Sequence, residues 1–485
     1  MITLVHKKGR KALPANYRPV SLTSHVIKIF EIIMRARIVH HLESSNLLCK
    51  HQHVITRGRI CRTQLLAHVD NIIQNLITGA DTDVIYFDFA KAFDNVDHQI
   101  LLAKVKAYGI SGKVYQWIEA FLSHRHQSVV IDGSLSYPAK VISGVPQGTV
   151  LGPILFLIYI DNMSDCALHS FLSTFADDTR IAGRVDSVSD VIKTQADLNQ
   201  VIEWSTSNNM LLHEQKFELL CHKAPRPGHF LTELSLVVEL YQYSTSKGII
   251  TQKSLVKDLG VNVHESLSWS PHINILADSA RKMASWVLSV FKDRSRVTMV
   301  TLYTSMVRSK LEYCCPLWDP TSIEDIRTLE TIQRSFTSKI TSVKHLDYWE
   351  RIKSLKLQSL QRRRERYSII HMWKVLHHIS PNDLGIQFTT SSRLGVKAKI
   401  PSPPKSSTSA MKTLFDRSFA VRGPRLWNLL PECVNSMTTL DSFKISLSKF
   451  LDNYPDKPPV AGYSTQNGNS LLEYNRRNVV VLGGL

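Results

Sequence analysis

The sequence lacks the cysteine pairs and the long apolar runs that define several common classes of protein. Its seven cysteines are an odd number without any C-x-x-C pair, which excludes a disulfide framework and a zinc knuckle. An apolar run over residues 150–160 is broken by Gly152 and Pro153 and is too short to span a membrane. The N-terminus has no apolar core of signal-peptide length before its first basic cluster. We therefore expect an intracellular, soluble protein with reduced cysteines.

Acidic residues are scarce relative to basic ones. The chain of 485 residues carries 41 acidic and 59 basic side chains, a formal net charge of +18. This excess favours a polyanionic partner, and the sequence offers no anchor that would point to a membrane instead. The hydrophobic fraction of 43% is typical of globular proteins, and the length predicts two to four compact units.

Two adjacent carboxylates, Asp177 and Asp178, lie between apolar runs in the stretch FLSTFADDTRIAGRV, residues 171–185. An isolated Asp-Asp pair is most often only a polar turn, but these flanks predict a hairpin with both carboxylates at its exposed tip. A third carboxylate, Asp88, ends a buried strand predicted over residues 84–87. Three carboxylates from two strand ends predict a site for a pair of divalent cations with oxygen ligands suited to magnesium.

Basic residues cluster in two predicted loops before helices. Their ordinary meaning is a solvated basic segment, whereas the functional alternative for the N-terminal cluster is a clamp for a triphosphate. The first cluster precedes a helix over residues 24–42, and the second opens a helix over residues 63–77. These clusters contain Lys7, Lys8, Arg10, Lys11 and Arg18, and then Arg57, Arg59 and Arg62.

A glycine-rich stretch, SGVPQGTVLGP at residues 143–153, follows a predicted hairpin in which residues 128–131 pair with residues 139–143. Such a stretch is either an ordinary loop or a place where backbone approaches a ligand, with Gln147 as donor and acceptor. A buried helix is predicted over residues 151–160. Further on, Lys216 is either a surface lysine or a proton donor near the Asp-Asp hairpin.

From about residue 270 the pattern becomes helical, with helices predicted over residues 273–291, 297–313, 323–340 and 348–379. The last helix contains QRRRERY, for which two interpretations stay open. Its arginines and aromatics either contact a nucleic-acid backbone, or the aromatics are core and the arginines form a solvated face. Residues 389–410 read as a linker, and a helix begins at Leu440. The arginines concerned are Arg362, Arg363, Arg364 and Arg366.

The order of these pieces resembles the palm motifs of reverse transcriptases. The matching stretches are NYRPVSL at 16–22, DFAKAFDNVDH at 88–98, SGVPQGTVLGPILFLIYIDN at 143–162, FADDT at 175–179 and VKDLGV at 256–261. The sequences of these stretches are similar to those of reverse transcriptases from non-LTR (LINE-type) retrotransposons of the jockey-like group. It continues through RSKLEYCCPLWDP at 308–320 and SFAVRGPRLWNLLP at 418–431, so the resemblance covers nearly the whole chain.

The resemblance implies an α+β right-hand fold that extends a DNA primer on an RNA template with deoxynucleoside triphosphates. Asp88, Asp177 and Asp178, with the backbone of Phe89, would hold two Mg²⁺ ions, or Mn²⁺. Lys216 would be the general acid, and Phe93 would exclude the ribose 2′-hydroxyl. Cytoplasm and nucleus are the expected locations. The expected nucleotide contacts are Arg18, Phe89, Ala90, Lys91, Ala92, Phe93, Gln147 and Gly148, with Lys7 or Lys8, and the expected nucleic-acid contacts are Arg57, Arg59 and the four arginines of QRRRERY.

By the same resemblance, the domains are truncated fingers over 1–80, a palm over 81–265, a helical thumb over 266–388, the linker over 389–410 and a small C-terminal unit over 411–485. The chain also departs from the family. Val54, Ile55 and Thr56 replace an expected Gly-Phe-Arg triplet, and His213 replaces an asparagine. Since no endonuclease precedes the fingers, we expect a fragment or the remnant of a decaying element. Two alternatives remain: a silent nucleic-acid-binding relic, and an RNA-dependent RNA polymerase, against which Phe93 counts.

Overall fold

The structure is a computed structural model that describes residues 1–7, 9–49, 58–131, 133–226, 242–391, 395–460 and 469–474. The chain divides into two compact units. The first comprises Met1–Ile60, Thr82–Leu220 and Phe230–Gln252, and the second comprises Cys61–Asp81, Cys221–His229 and Lys253–Leu485. Both helices and sheets are present, which confirms the α+β class. Within the described ranges, no helix has the length and apolar character needed to cross a membrane.

Short strands and helices alternate up to residue 252. In chain order they are β1 (Ile2–His6), β2 (Tyr17–Ser21), α1 (His25–Ser44), α2 (Cys61–Ile77), β3 (Asp81–Phe87), α3 (His98–Ala107), α4 (Gly112–Leu122), β4 (His126–Gln127), β5 (Val129–Ile131), β6 (Ser134–Leu135), β7 (Ala139–Lys140), α5 (Gly152–Ile160), β8 (Phe171–Phe175), β9 (Asp178–Val185), α6 (Val188–Ser207), β10 (Glu218–His222), β11 (Ser244–Thr245), β12 (Gly248–Ile249) and β13 (Thr251–Gln252). Short 3₁₀ turns lie at Pro14–Asn16, Asp161–Cys166 and Glu214–Lys216.

Helices dominate after residue 252. The elements are β14 (Leu255–Asp258), β15 (Val261–His264), α7 (Ser270–Val290), α8 (Arg296–Leu302), a π-helical turn (Tyr303–Arg308), α9 (Ser309–Glu312), α10 (Cys315–Trp318), α11 (Ile323–Thr337), a 3₁₀ turn (Thr341–Val343), α12 (Tyr348–Ser354), α13 (Leu360–Leu376), β16 (Phe388–Ser391), β17 (Gly395–Ala398), α14 (Ser409–Arg417), α15 (Phe419–Trp427), α16 (Glu432–Asn435) and α17 (Leu440–Asp452). The helix predicted from Leu440 is confirmed.

A five-stranded sheet with the order β13-β10-β3-β9-β8 forms the centre of the first unit. All seven residues of its middle strand, β3, are buried, as the apolar run predicted. β8 and β9 pair antiparallel from Phe171↔Ala182 to Phe175↔Asp178, whereas β13 joins β10 in parallel. The predicted buried helix is confirmed as α5, in which Ile154 to Ile160 are all buried.

The second sheet of this unit corrects a predicted strand pairing. β5 pairs with β6 rather than with residues 139–143, because Ile131 lies opposite Ser134 and the chain reverses within two residues. Gly133 adopts a φ of +82°, which such a tight hairpin turn requires. β7 instead pairs with β4, and β5 continues the sheet in the order β2-β1-β5-β6.

The long helix predicted over residues 348–379 is divided into α12 and α13. Lys356 lies in the left-handed region with a φ of +55°, which ends the first helix. The Ser359 hydroxyl then accepts a hydrogen bond from the backbone N–H of Arg362 at 3.0 Å and caps the second helix. The predicted helix over 297–313 is likewise interrupted by the π-helical turn.

Two arginines of the basic helix α13 are buried in the interior of the second unit. Arg362 and Arg364 are only 2% and 1% exposed, so neither a nucleic-acid face nor a solvated face describes them. Arg364 Nε donates to Asp319 Oδ1 at 2.6 Å, and Arg422 pairs with the other oxygen of Asp319. Arg362 Nη2 donates to the Pro455 carbonyl at 3.1 Å. The predicted nucleic-acid role of these two arginines is therefore wrong, since buried charges need internal partners.

The other two arginines of this helix are half-buried and also have partners. Arg363 forms an ion pair with Glu312, and Arg366 Nη1 donates to the Ser448 hydroxyl at 2.7 Å. The interpretation of the aromatics as core is confirmed for Trp373, which stacks on Phe443 with ring centroids 5.5 Å apart.

The segment predicted to be a linker contains a hairpin, so that expectation is corrected for residues 389–398. β16 and β17 pair antiparallel from Phe388↔Ala398 to Ser391↔Gly395. The Asn428 side chain fixes the hairpin by accepting from the Ala398 N–H and donating to the Ala398 carbonyl, both at 2.8 Å. Side-chain amides from a later helix thus provide order that the local composition does not indicate. The other domain boundaries stay predictions.

Replacing Asp319 with alanine should lower the free energy of unfolding by about 3 to 5 kcal/mol, because Arg364 and Arg422 would remain buried without their carboxylate. Urea denaturation followed by tryptophan fluorescence would measure the loss. Asp441→Ala is the control, because it also removes one carboxylate but from an exposed pair with Lys444. Equal losses in the two variants would contradict a role for the buried ion pairs.

Candidate functional site

The Asp-Asp hairpin is confirmed, but its two carboxylates differ from each other in position and in exposure. Because Phe175 lies opposite Asp178, only Ala176 and Asp177 form the connection between β8 and β9. Ala176 adopts a φ of +56°, as tight hairpin connections require. Asp177 is half-buried in the turn, whereas Asp178 begins β9 and is exposed.

The third predicted carboxylate lies beside this hairpin, because β3 neighbours β9 in the sheet and Asp88 follows the last residue of β3. Burial raises the pKa of Asp177, and the negative charge of Asp88 raises it further. The positive charges of Arg18 and Lys7 lower it. The fold therefore brings together two carboxylates that repel each other and two cations that partly offset the repulsion.

Backbone pairing also brings Lys216 to the carboxylates. Residues 211–213 lie along the segment after β3, with the His213 N–H donating to the Asp88 carbonyl and the Ala90 N–H to the Leu211 carbonyl. The short helix that follows places Lys216 Nζ 3.4 Å from Asp88 Oδ2. Both side chains keep contact with solvent, so this ion pair can be broken when another partner of Asp88 arrives.

The loop after Asp88 presents backbone and one aromatic ring. Lys91 adopts a left-handed φ of +49°, and the Asn95 side chain fixes the turn by donating to the Ala90 carbonyl at 2.7 Å. Phe93 stacks on Phe156 of α5, with ring centroids 4.5 Å apart and planes at 14°. The ring of Phe93 is thus held in one orientation by a buried helix.

The glycine-rich loop lies against the same segment and against β2. Gln147 Nε2 donates to Asp94 Oδ1 at 3.0 Å, and the Gln147 carbonyl accepts from the Ser21 N–H at 2.7 Å. Gly148 follows with a φ of +93°. A Cβ atom there would lie 2.9 Å from Val20 Cγ1 and 3.0 Å from the Ser21 carbonyl oxygen. The glycine therefore permits close approach of backbone to backbone, rather than to a ligand alone.

Two residues of this region were missed from the sequence. Asp94 orients the Gln147 amide, and its place six residues after Asp88 in DFAKAFD was the available signal. Glu31 is fully buried in α1 and accepts from the N–H groups of Val150 and Leu151 at 2.6 and 3.0 Å. An acid in the apolar stretch IFEII could have indicated a buried acceptor.

For several predicted contact residues, the structure gives only their exposure or their position on a strand, or does not describe them. Arg18 is exposed on β2, which pairs antiparallel with β1. Ala92 is buried, and Arg59 is half-buried. Lys8 and Arg57, together with the unusual triplet at residues 54–56, lie outside the described residues. Their roles stay predictions.

The carboxylates fit divalent cations by chemistry and charge. Hard carboxylate oxygens suit magnesium. The pKa of Asp177 is raised first by burial and then by the negative charge of Asp88, and a bound cation would counter both effects. Across the part of the chain that the structure describes, no three His, Cys, Asp or Glu side chains form a closed cluster for a metal ion. The three carboxylates thus offer oxygen ligands, which would have to move closer to one another to coordinate a cation.

Comparison with known proteins identifies the family of the chain. A family model described as "Reverse transcriptase (RNA-dependent DNA polymerase)" matches residues 5–263, more than half of the chain. The "Probable RNA-directed DNA polymerase from transposon X-element" of Drosophila melanogaster is 27% identical over 353 residues, which cover 70% of this chain and 37% of that protein. The "RNA-directed DNA polymerase from mobile element jockey" of Drosophila funebris is 25% identical over 354 residues, with the same two coverages. The resemblance to jockey-like elements is confirmed.

The chain spans little more than a third of the length of these curated relatives. Among solved structures, telomerase from Candida albicans with a fragment of telomeric RNA aligns with a TM-score of 0.42 at 11% identity. That alignment covers 79% of this chain and 62% of the telomerase chain.

Gly148→Ala should destabilise the first unit by more than its backbone conformation alone would cost, because the new Cβ would meet Val20 and Ser21. Gly133→Ala is a matched control, since Gly133 also has a positive φ but an added Cβ there meets nothing within 4 Å. We expect each variant to lose about 1 to 3 kcal/mol through the strained φ, and Gly148→Ala to lose more. Thermal unfolding by circular dichroism measures both, and equal losses would contradict the close approach.

Proposed function

The chain belongs to the reverse transcriptase family, and we propose that it is the polymerase region of a non-LTR retrotransposon protein, extending a DNA primer on an RNA template. The supporting observation is that Asp88 follows the end of β3 and Asp177 precedes the neighbouring strand β9, with the charge of Asp88 among the causes that raise the pKa of Asp177. The family has the right-hand polymerase fold that the resemblance implied. We assign the five-stranded sheet to the palm and the helices after residue 270 to the thumb.

Reverse transcriptases use divalent metal ions, and we infer two Mg²⁺ ions here, with Mn²⁺ as a substitute. Asp88, Asp177 and Asp178, with the carbonyl of Phe89, are the residues that would hold them. Bound there, the ions would supply activation of the primer 3′-hydroxyl and neutralise the phosphates of the nucleotide. Because Lys216 pairs with Asp88 through solvent-exposed atoms, this pair can open as the carboxylate takes up its new role.

The chain's own cations provide the contacts for the triphosphate. The positive charges of Arg18 and Lys7 lower the pKa of Asp177, which supports their role as phosphate contacts near the carboxylates. The backbone of residues 89–92, shaped by the left-handed Lys91, forms the opposite side of this site. Lys216 is the candidate general acid for the leaving pyrophosphate, since its ammonium group already lies beside Asp88.

Selection of the nucleotide rests on Phe93 and Gln147. The Phe93 ring is held by its stacking on Phe156, so it presents a fixed bulk to the sugar 2′ position. Gln147 and Gly148 would contact the nascent base pair and the template, with the Gln147 amide oriented by Asp94. The partners we infer are template RNA, a DNA primer and deoxynucleoside triphosphates. From the family resemblance we infer that the activity takes place in nucleus and cytoplasm.

A second candidate is a catalytically silent protein that still binds nucleic acid. The specific observation that favours it is that Asp88, Asp177 and Asp178 are not gathered into a closed cluster among the described residues. An RNA-dependent RNA polymerase shares the carboxylate chemistry, but a fixed Phe93 would hinder a ribonucleotide.

Asp177→Asn should abolish primer extension on an RNA template with magnesium, because an amide oxygen is a much weaker ligand for a hard cation. RNA binding should be unchanged in the same variant. Asp186→Asn is the control, since Asp186 is an exposed aspartate near the end of the same hairpin and pairs with Arg184. Extension by the Asp177→Asn variant would rule out this site, and absence of extension by every variant and the parent would favour the silent protein.

Phe93→Ala should reduce discrimination against ribonucleotides by about 10- to 200-fold, the range expected when a steric barrier of this size is removed. The measurement is the ratio of kcat/KM for dNTP and for rNTP in single-nucleotide incorporation. Phe93→Leu keeps most of the bulk and should keep most of the discrimination. An unchanged ratio in the alanine variant would remove Phe93 from this role.

A further inference from the structure

A cavity of about 360 Å³ lies beside the loop that carries Gln147, within the first unit. Its walls include the paired ends of β4 and β7, the second half of β2 and the turn after Asp88. A cavity of this size is within the range of ligand sites. Three cationic side chains and one carboxylate line it, namely Lys91, Arg125, Lys140 and Asp94.

Arg125 is the unusual member of this group. Its Nη1 atom is buried and has no hydrogen-bond partner among the residues that the structure describes. The guanidinium group packs near the Phe121 ring, 6.0 Å from the centroid, and burial lowers the pKa of Arg125. A half-buried cation without a carboxylate partner costs free energy, which an anion in the cavity would offset.

The carboxylate in the wall does not fill this role. Asp94 Oδ1 accepts the Gln147 amide at 3.0 Å, so Asp94 serves the glycine-rich loop. Lys91 and Lys140 are both exposed at the rim of the cavity. The cavity therefore has a surplus of positive charge with a planar guanidinium at its wall, a combination that matches phosphate oxygens.

The cavity opens on a different face of β2 from the nucleotide site. Successive side chains of a strand point to opposite faces, and the cavity is lined by Pro19 and Ser21. Arg18 directly precedes Pro19 on β2, so this alternation places its side chain on the other face of the strand. The phosphate expected in the cavity is therefore not part of the triphosphate.

We propose that this cavity binds a backbone phosphate of the template strand, with Arg125 as its main ligand and Lys140 as a second contact. The proposal rests on the proposed function, which places template and nascent base pair against Gln147. The phosphate contact would fix the register of the template at the loop that reads the new base pair, without reading its sequence.

The test is binding of an RNA–DNA primer–template over a series of KCl concentrations, with every variant built on Asp177→Asn so that binding is measured without extension. Arg125→Gln should weaken binding about tenfold at low salt, the loss expected for one charge-assisted contact. It should also lower the slope of log affinity against log salt by about 0.7 to 0.9, one phosphate contact. Lys140→Gln leaves Arg125 on the same phosphate, so it should lower the slope by less, and Arg125→Lys should restore the slope.

Arg184→Gln is the matched control, since it removes one positive charge from an exposed site of the same unit, where Arg184 pairs with Asp186. An effect of Arg125→Gln no larger than that of this control would overturn the proposal. If Arg125→Gln fails to fold, as circular dichroism would show, Lys140→Gln alone decides, and an unchanged slope would overturn the proposal.

Steady-state extension with the carboxylates intact separates the two sources of phosphate. A higher KM for dNTP in Arg125→Gln, with template affinity unchanged, would assign the cavity to the triphosphate and overturn the proposal. An inactive parent that still loses salt-dependent RNA binding through Arg125→Gln would refute the polymerase while supporting the phosphate site.

Discussion

The repulsion between Asp88 and Asp177 is the constraint on which the first unit depends. Two like charges would separate in a flexible chain, and the negative charge of Asp88 disfavours the charged form of Asp177. Here Asp88 follows the fully buried strand β3, and the two-residue turn at Ala176 positions Asp177 before its neighbour β9. Arg18 and Lys7 offset only part of the charge, so the site keeps an attraction for cations. Apolar strands thus supply the stability that the site itself lacks.

The segments around these carboxylates are joined by hydrogen bonds as well as by the stacking of Phe93 on Phe156. Asp94 accepts from the Gln147 amide, and the Gln147 carbonyl accepts from Ser21 on β2. Glu31 on α1 accepts a hydrogen bond from the N–H of Leu151, the residue before α5. Buried polar links of this kind strengthen one another where water is excluded. Nucleotide selection and template contact should therefore respond together to changes in either loop.

In the second unit, several positive charges stabilise the fold through buried ion pairs and hydrogen bonds. Arg364 and Arg422 share the carboxylate of Asp319 in a buried group, and Arg362 donates to backbone carbonyls. These cations contribute to the net charge of +18 but present little of it to solvent. The polyanion binding that we propose therefore rests on other side chains, such as the exposed lysines at the cavity beside Gln147.

The sequence by itself determined the strands that end in carboxylates, the Asp-Asp hairpin and the family, because apolar runs and short motifs act locally. The rest depended on contacts between residues far apart in the chain. Arginines of one helix are surface or core according to what packs against them, and Asp319 decides this for Arg364. The hairpin of β16 and β17 is fixed by the amide of Asn428, which lies 30 residues after Ala398. The pairing of β5 with β6 is the exception, since a local tight turn at Gly133 makes it. Periodicity records which positions are apolar, but only the tertiary structure brings a distant partner to each charge.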